Sequence, residues 1–240
     1  MNICYYALST GLIIFVSCRN HSTEINLLHA KDFILLDTCL NADRFLEWND
    51  SCSDYNIYYL GKTSDTTGIG KKCHWGSSFR QFTSGRMWTR NFSKNTLAVF
   101  VDTSVKTTST VEFYSEYPDT NPDSSMNYHS FLIVLKNVCD SDVFVSLHNE
   151  LSFINREAKD KNGKWIKIDK KLMEMSMCGT GQPTIYLKPG EYLLSKMKRY
   201  KGDLVTDFRL VFGYDSNVVY SNTFKDSIDE RTLHLLSINR

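Results

Sequence analysis

The stretch from Gly61 to Lys72 combines glycines with lysines, the residue types that cradle a nucleotide phosphate. A phosphate-binding loop ending at Gly70-Lys71 needs a glycine at the place of Asp65. It also needs Ser or Thr where Lys72 stands. Because glycine pairs are common in plain turns, the stretch predicts a hairpin or surface loop, and we expect no nucleotide ligand.

Side chains that could act as acids, bases or nucleophiles are scattered along the chain. The six histidines form no paired motif, and the sequence has no Gly-x-Ser-x-Gly elbow. Asp140 with Asp142 and Asp229 with Glu230 are closely spaced carboxylates, but their positions are typical of a turn and of the chain end. A glycosidase needs two carboxylates that converge across a cleft. We therefore predict no catalytic residue and no cofactor, and expect a protein that is not an enzyme.

The first seventeen residues contain no charged side chain and include an apolar run, Ala7 to Val16. The run is too short for a membrane-spanning helix and fits the core of a signal peptide. Phe15-Val16-Ser17-Cys18 resembles the lipobox of bacterial lipoproteins, in which the cysteine is acylated and becomes the mature N-terminus. This resemblance implies a signal peptide over 1–17, lipid attachment such as palmitate at Cys18 and a tether over 18–24. Several acyl chains would anchor the protein stably to a membrane of the bacterial cell envelope, facing the periplasm or the surface.

The remaining cysteines are Cys39, Cys52, Cys73, Cys139 and Cys178, an odd number with wide spacings. Neither Cys-x-x-Cys nor a Cys/His cluster of zinc type occurs, so we expect no metal site. A disulfide between Cys139 and Cys178, or within the first three, is compatible with an oxidising compartment. The alternative is that all five are small buried apolar groups.

Charge is nearly balanced, with 28 Lys and Arg against 27 Asp and Glu. No global field therefore favours nucleic acid as a partner. The densest basic group has seven members, which predict either a solvated strand edge or a face for an acidic partner. These are Lys167, Lys170, Lys171, Lys196, Lys198, Arg199 and Lys201.

Aromatic residues make up 13% of the chain and prolines number only 4, a composition that favours sheets over helical bundles. In the region 25–117 we predict strands at 32–37, 55–61, 97–102 and 110–117, and a short helix at 41–48. Tyr55, Tyr58 and Tyr59 fit half-buried strand positions, with a stacking platform as the alternative. Turn residues over 118–126 predict a linker. This first region is therefore expected to be β-rich, or α+β.

Between 127 and 232 seven or eight short strands follow one another at about ten-residue spacing, with turn residues between them. That pattern predicts an antiparallel β-sandwich, followed by a C-terminal tail over 233–240. Trp165 follows an Asn-Gly turn, and we expect it between the two sheets.

The segment from Phe131 to Ile228 resembles the immunoglobulin-like domains of small bacterial surface proteins. Five motifs carry the likeness in order: Val134-Leu-Lys-Asn137, Lys161-Asn-Gly-Lys-Trp-Ile-Lys-Ile168, Leu187-Lys-Pro-Gly-Glu191, Tyr200-Lys-Gly-Asp203 and Val219-Tyr-Ser-Asn222. With the lipobox-like start, the chain resembles uncharacterised lipoproteins of the Bacteroidetes. It is also distantly similar to sandwich-shaped proteinase inhibitors of bacilli. The resemblance implies a fold rather than an activity.

The leading hypothesis is a non-enzymatic, lipid-anchored envelope protein that binds a protein or glycan. One alternative is an inhibitor or immunity-type protein that acts on a hydrolase. Another is a hydrolase with a site within residues 25–126. Asn20, Asn49 and Asn91 lie in formal glycosylation sequons, which would matter only in a eukaryotic secretory protein.

Overall fold

A computed structural model describes residues 34–37, 42–47, 55–62, 66–69, 88–89, 91–113, 124–147, 150–169 and 184–238. Strands make up 62% of these residues, so the prediction of a mainly β fold is confirmed. In chain order the elements are β1 (Ile34–Leu36), β2 (Ile57–Gly61), β3 (Thr66–Gly68), β4 (Trp88–Thr89), β5 (Leu97–Phe113), β6 (Ser124–Asn137), β7 (Asp142–Leu147), β8 (Ile154–Lys159), β9 (Trp165–Lys167), β10 (Thr184–Leu187), β11 (Tyr192–Lys198), β12 (Leu204–Tyr214), β13 (Asn217–Tyr220), β14 (Phe224–Ile228) and α1 (Glu230–Ile238).

One sheet has four antiparallel strands in the order β2-β11-β6-β5. β5 is one long strand with a bulge between Asp102 and Lys106, where the sequence predicted two separate strands. The bulge lets Asp102 accept hydrogen bonds from the backbone N–H and the hydroxyl of Ser104, at 2.9 and 2.6 Å. A local turn of this kind interrupts the alternation of side chains without ending the strand.

The second large sheet has five strands, in the order β13-β12-β8-β9 with β14 also paired to β12. Every pairing in it is antiparallel. The predicted turn before Trp165 is present: Asp160 Oδ1 accepts the N–H groups of Asn162 and Lys164, at 2.9 and 2.8 Å. Gly163 occupies the left-handed position of that turn, with φ of 78°.

The two large sheets pack face to face on one hydrophobic core, which makes the architecture a β-sandwich. Rings of Phe92, Phe153 and Phe212 meet at its centre, with centroids 5.1 to 6.3 Å apart. A three-stranded sheet, β10-β7-β4, contributes Val143, Phe144 and further residues to the same core. The narrower prediction of an immunoglobulin-like domain over 127–232 stays a prediction.

A smaller cluster lies on the other face of the four-stranded sheet, where Leu132, Val134 and Leu194 pack with Tyr58 and Ile69. Beside it β1 and β3 form a parallel pair, so part of the stretch predicted as a loop, Thr66–Gly68, is a strand. The four-stranded sheet thus buries both of its faces.

The helix predicted over 41–48 is wrong for residues 42–47, which are extended. Arg44 pairs with Tyr128, and Leu46 pairs with Tyr200, in isolated β-bridges. The segment lies beside the end of β11. Its backbone forms hydrogen bonds with backbone groups of β6 that lie beyond the last residue paired with β11.

The strands on either side of the predicted linker, β5 and β6, pair with each other from Phe113 with Ser124 to Leu97 with Asn137. Both contribute to the main core. Strands of the predicted regions 25–117 and 127–232 therefore lie in one sheet and contribute to one core.

The expected C-terminal tail is helical instead, because α1 begins at Glu230. Asp229 caps it: its Oδ1 accepts the N–H of Thr232 at 2.9 Å. Leu233 is buried and packs in the main core, so the helix lies against the sandwich.

Candidate functional site

Two of the three cysteines named as sites, Cys18 and Cys178, lie outside the described residues. Cys139 is half-buried, and its Sγ lies 3.4 Å from the carbonyl oxygen and 3.4 Å from the hydroxyl of Ser141. The lipid site and the Cys139–Cys178 disulfide stay predictions.

The basic group does not form one solvated surface. Lys196 and Lys198 are buried, contrary to the expectation of an exposed strand edge. Lys196 Nζ lies 3.0 Å from Asp37 Oδ2 and 2.8 Å from the carbonyl oxygen of Thr108. Its ammonium also stands over the Tyr58 ring, 4.4 Å from the centroid. A lysine paired in this way can be buried without an uncompensated charge.

The tyrosines in β2 and just before it face inward, since Tyr55 and Tyr58 are buried and Tyr59 is partly buried. The alternative of an exposed stacking platform is wrong for the two buried rings. Tyr55 instead belongs to a charged network inside the sandwich.

Arg156 is the centre of that network, and its side chain is 1% exposed. Its guanidinium donates to the carbonyl oxygen of Lys198 at 2.9 Å and lies 4.6 Å from the Tyr200 ring centroid. Asp169 Oδ2 accepts a hydrogen bond from the Tyr55 hydroxyl at 2.5 Å and another from the backbone N–H of Arg156 at 2.7 Å. Asp169 Oδ1 is 3.7 Å from Arg156 Nε, an ion-pair distance, and accepts no hydrogen bond within the described ranges.

The network is held in one protonation state. Burial raises the pKa of the Tyr55 phenol well above its usual range; the Arg156 charge opposes that shift, and the Asp169 carboxylate adds to it. Burial by itself would lower the pKa of Arg156, but the oxygens of Tyr55, Asp169 and Tyr200 raise it. Tyr55 therefore stays neutral and Arg156 stays charged, which suits a structural tie rather than proton transfer.

A second buried carboxylate, Asp226, lies on the neighbouring strand β14. Its Oδ1 accepts from Arg199 Nε and from a terminal nitrogen of Arg199, at 3.0 and 2.9 Å. Burial raises the pKa of Asp226, against the opposing charge and hydrogen bonds of Arg199. Arg199 also packs on Phe131, 4.5 Å from the ring centroid, so this pair belongs to the core as well.

The outward-facing side of the five-stranded sheet, here called the outer face, carries an ordered row of side chains. The Arg209 guanidinium lies between two rings, 4.2 Å from the centroid of Trp165 and 4.1 Å from that of Tyr220. Its Nε donates to Glu157 Oε2 at 2.7 Å. Tyr220 is 49% exposed, so the row ends in solvent.

Trp165 is therefore not a core residue, contrary to the sequence expectation. Its neighbour Ile166 is fully buried, and alternation in β9 turns Trp165 to the opposite side. Lys159 extends the row, because its Nζ lies 5.1 Å from the Trp165 centroid and 3.1 Å from Asp207 Oδ2. Lys225 also pairs with Asp207, at 2.6 Å.

A cleft of about 410 Å³ opens at the segment 42–47, here called the terminal cleft. It is lined by Asp43, Arg44, Phe45, Glu47, Met126, Tyr128 and Lys201. The Phe45 ring stacks on His129 with centroids 4.4 Å apart. Asp43 and Glu47 are exposed carboxylates.

The described residues contain no group of three or more His, Cys, Asp or Glu side chains arranged to hold a metal ion. Within the same ranges, no helix has the length and apolar character needed to cross a membrane.

No family model matches this chain, and no curated protein or solved structure gives a significant match. Its function must therefore be argued from its own residues.

Proposed function

We propose that this protein is a non-enzymatic, lipid-anchored envelope protein that binds a protein partner through its outer face. The arrangement of Arg209 between Trp165 and Tyr220 carries the proposal. Trp, Tyr and Arg are the residues that dominate the binding energy of protein interfaces, and here all three stand together on an open sheet.

The row is organised before any partner arrives. Glu157 fixes the Arg209 guanidinium from one side, and the two rings fix it from above and below. Asp207 holds Lys159 and Lys225 in the same way. Side chains that are already ordered lose little entropy on association, so more of the contact energy contributes to affinity.

The charge of the outer face favours an acidic partner. Four basic side chains stand there against two acidic ones. They are Lys159, Lys167, Arg209 and Lys225 against Glu157 and Asp207. An excess of positive charge steers an acidic protein to the face and raises its association rate. Val205, 67% exposed on the same face, adds apolar area.

A photo-crosslinking amino acid tests the surface in cells. Placed at Tyr220 or Val205, it should yield a covalent adduct with an acidic protein of the envelope. The same probe at exposed Lys62, at the end of β2, serves as the control and should yield no such adduct. Adducts of equal yield at all three positions, or none at all, would contradict the proposal. A hydrolase as the captured protein would favour the inhibitor or immunity alternative.

The lipid anchor has its own test. Cells grown with labelled palmitate should label the wild type and a Cys39→Ala control, and should not label Cys18→Ala. Mass analysis of the mature N-terminus should find an acylated cysteine there. Equal labelling of Cys18→Ala, or a mature chain that still starts at Met1, would reject the anchor while leaving the outer face open to its separate test.

A further inference from the structure

The terminal cleft is a second site of a different kind, and it lies apart from the row on the outer face. Its floor is fixed by backbone hydrogen bonds. Asn127 O accepts the N–H of Arg44 at 3.1 Å, and Arg44 O accepts the N–H of His129 at 2.9 Å. Leu46 is bonded in the same way to Arg199 and Lys201, at 2.8 and 3.0 Å. Because the floor is ordered, a ligand would find the cleft already formed.

Three charged side chains of the cleft, Asp43, Arg44 and Lys201, are exposed to solvent and make few contacts with the described residues. The Arg44 guanidinium makes one hydrogen bond there, to the thioether of Met126 at 3.3 Å, and sulfur of this type is a weak acceptor. Asp43 and Lys201 form no ion pair with any residue of the described ranges. The cleft thus offers donors and acceptors side by side.

Among the described residues that line the cleft the charges cancel, since Asp43 and Glu47 stand against Arg44 and Lys201. A ligand of strong net charge would meet repulsion from one of these pairs. A neutral ligand that both donates and accepts hydrogen bonds meets no such repulsion. Sugar hydroxyls do both, and adjacent hydroxyls of a pyranose suit a guanidinium and a carboxylate on neighbouring residues.

Phe45 supplies the apolar part of such a site. One face of its ring rests on His129, and Arg199 lies 5.5 Å from its centroid, so the ring is held in place. Phe45 is half-buried and lines the cleft. The C–H groups of a sugar can pack against the part of this ring that lines the cleft, as apolar ligand groups do in most pockets.

We propose that the terminal cleft binds a neutral saccharide, with its ring on Phe45 and its hydroxyls bonded to Asp43 and Arg44. The outer face can fail as a protein-binding surface without affecting this proposal, because the two sites share no residue.

A microarray of immobilised glycans, probed with the purified chain, tests it. The neutral probes are oligomers of glucose, galactose, mannose, xylose and N-acetylglucosamine, and acidic oligosaccharides form a second set. We expect binding to at least one neutral series. Asp43→Ala and Arg44→Ala should each weaken it by about tenfold or more, since hydrogen bonds to charged groups are the stronger kind. Lys164→Ala, in the exposed turn after β8, should leave binding unchanged.

Thermal melts decide whether the variants remain folded, and Asp43→Asn with Arg44→Gln replace them if they do not. Absence of any neutral glycan on the array would overturn the proposal. So would binding that survives both substitutions in folded protein, or binding confined to acidic glycans and abolished by salt.

Discussion

Replacing Asp169 with alanine should destabilise the sandwich more than any surface substitution. The change removes the acceptor of two hydrogen bonds, one from the Tyr55 hydroxyl at 2.5 Å and one from the backbone N–H of Arg156 at 2.7 Å. It also leaves the Arg156 charge buried without its counter-ion, 3.7 Å away in the wild type. Removing one partner of a buried ion pair costs about 3–5 kcal/mol. For a chain of this size that corresponds to a fall in Tm of roughly 6–20 °C.

Urea unfolding followed by far-UV circular dichroism measures the loss. The matched control is Asp207→Ala, which removes a carboxylate paired with two lysines on the partly exposed outer face and should cost much less stability than Asp169→Ala. The double variant Arg156→Met with Asp169→Leu should recover part of the loss, because it removes both charges and refills the volume but leaves the Tyr55 hydroxyl and the backbone N–H of residue 156 without an acceptor. If Asp169→Ala unfolds at the same urea concentration as the Asp207→Ala control, the network does not hold the sheets as described.

Three further predictions follow from other contacts. The raised pKa of Asp226 means that the folded chain binds that proton more tightly than the unfolded chain, so its ionisation subtracts from stability as pH rises above about 4. Urea titrations from pH 4 to 7 should show the stability of the wild type relative to Asp226→Asn falling with pH, and a rising difference would refute the assignment. Asn222→Ala removes a donor and an acceptor from the backbone of Val101, at 3.1 and 2.8 Å, and should cost about 1–3 kcal/mol. Hydrogen exchange at the Val101 amide should speed up, and unchanged protection there would count against the contact. Gly202→Ala would set its Cβ 1.9 Å from the Ile228 carbonyl carbon, so a cost of about 1–3 kcal/mol is expected in chemical denaturation, and a neutral result would show that the strand end can move.

Strand positions could be predicted from the sequence where the alternation of side chains is local. The strand predicted over 55–61 agrees with β2, Ile57–Gly61, to within two residues, because a short aromatic and β-branched run there precedes a stretch rich in turn residues. β5 was divided in two because the bulge after Asp102 breaks the alternation that sequence reasoning follows. The strand stays continuous because it pairs with β6, and a local sequence pattern does not show that pairing.

The helix over 41–48 failed for a related reason. An Asn or Asp followed by mixed apolar residues is compatible with a helix, but Arg44 and Leu46 complete the edge of a sheet. Tertiary hydrogen bonds outweighed a weak local propensity. The C-terminal helix was missed although signals were present: Asp229 is a suitable cap, and Leu233 and Leu236 share one face.

The candidate sites were less accessible to sequence reasoning than the fold. The position of Trp165 after the Asn-Gly turn predicted a core residue, whereas the side it faces depends on the register of β9 against β8. Arg209 and Tyr220 are eleven residues apart and become neighbours only through the hairpin of β12 and β13. The terminal cleft joins residues from three distant parts of the chain, so no spacing rule could reveal it.

Dependence of the crosslink on Arg209 tests the central claim most directly. With the photo-crosslinker at Val205, the yield of adduct in cells should fall at least about tenfold when Arg209→Ala removes the cation between Trp165 and Tyr220, as expected for a central interface residue. Arg209→Lys should lower it to an intermediate level, because lysine keeps the charge and loses the planar stack. An adduct of unchanged yield in folded Arg209→Ala would show that the partner is bound elsewhere.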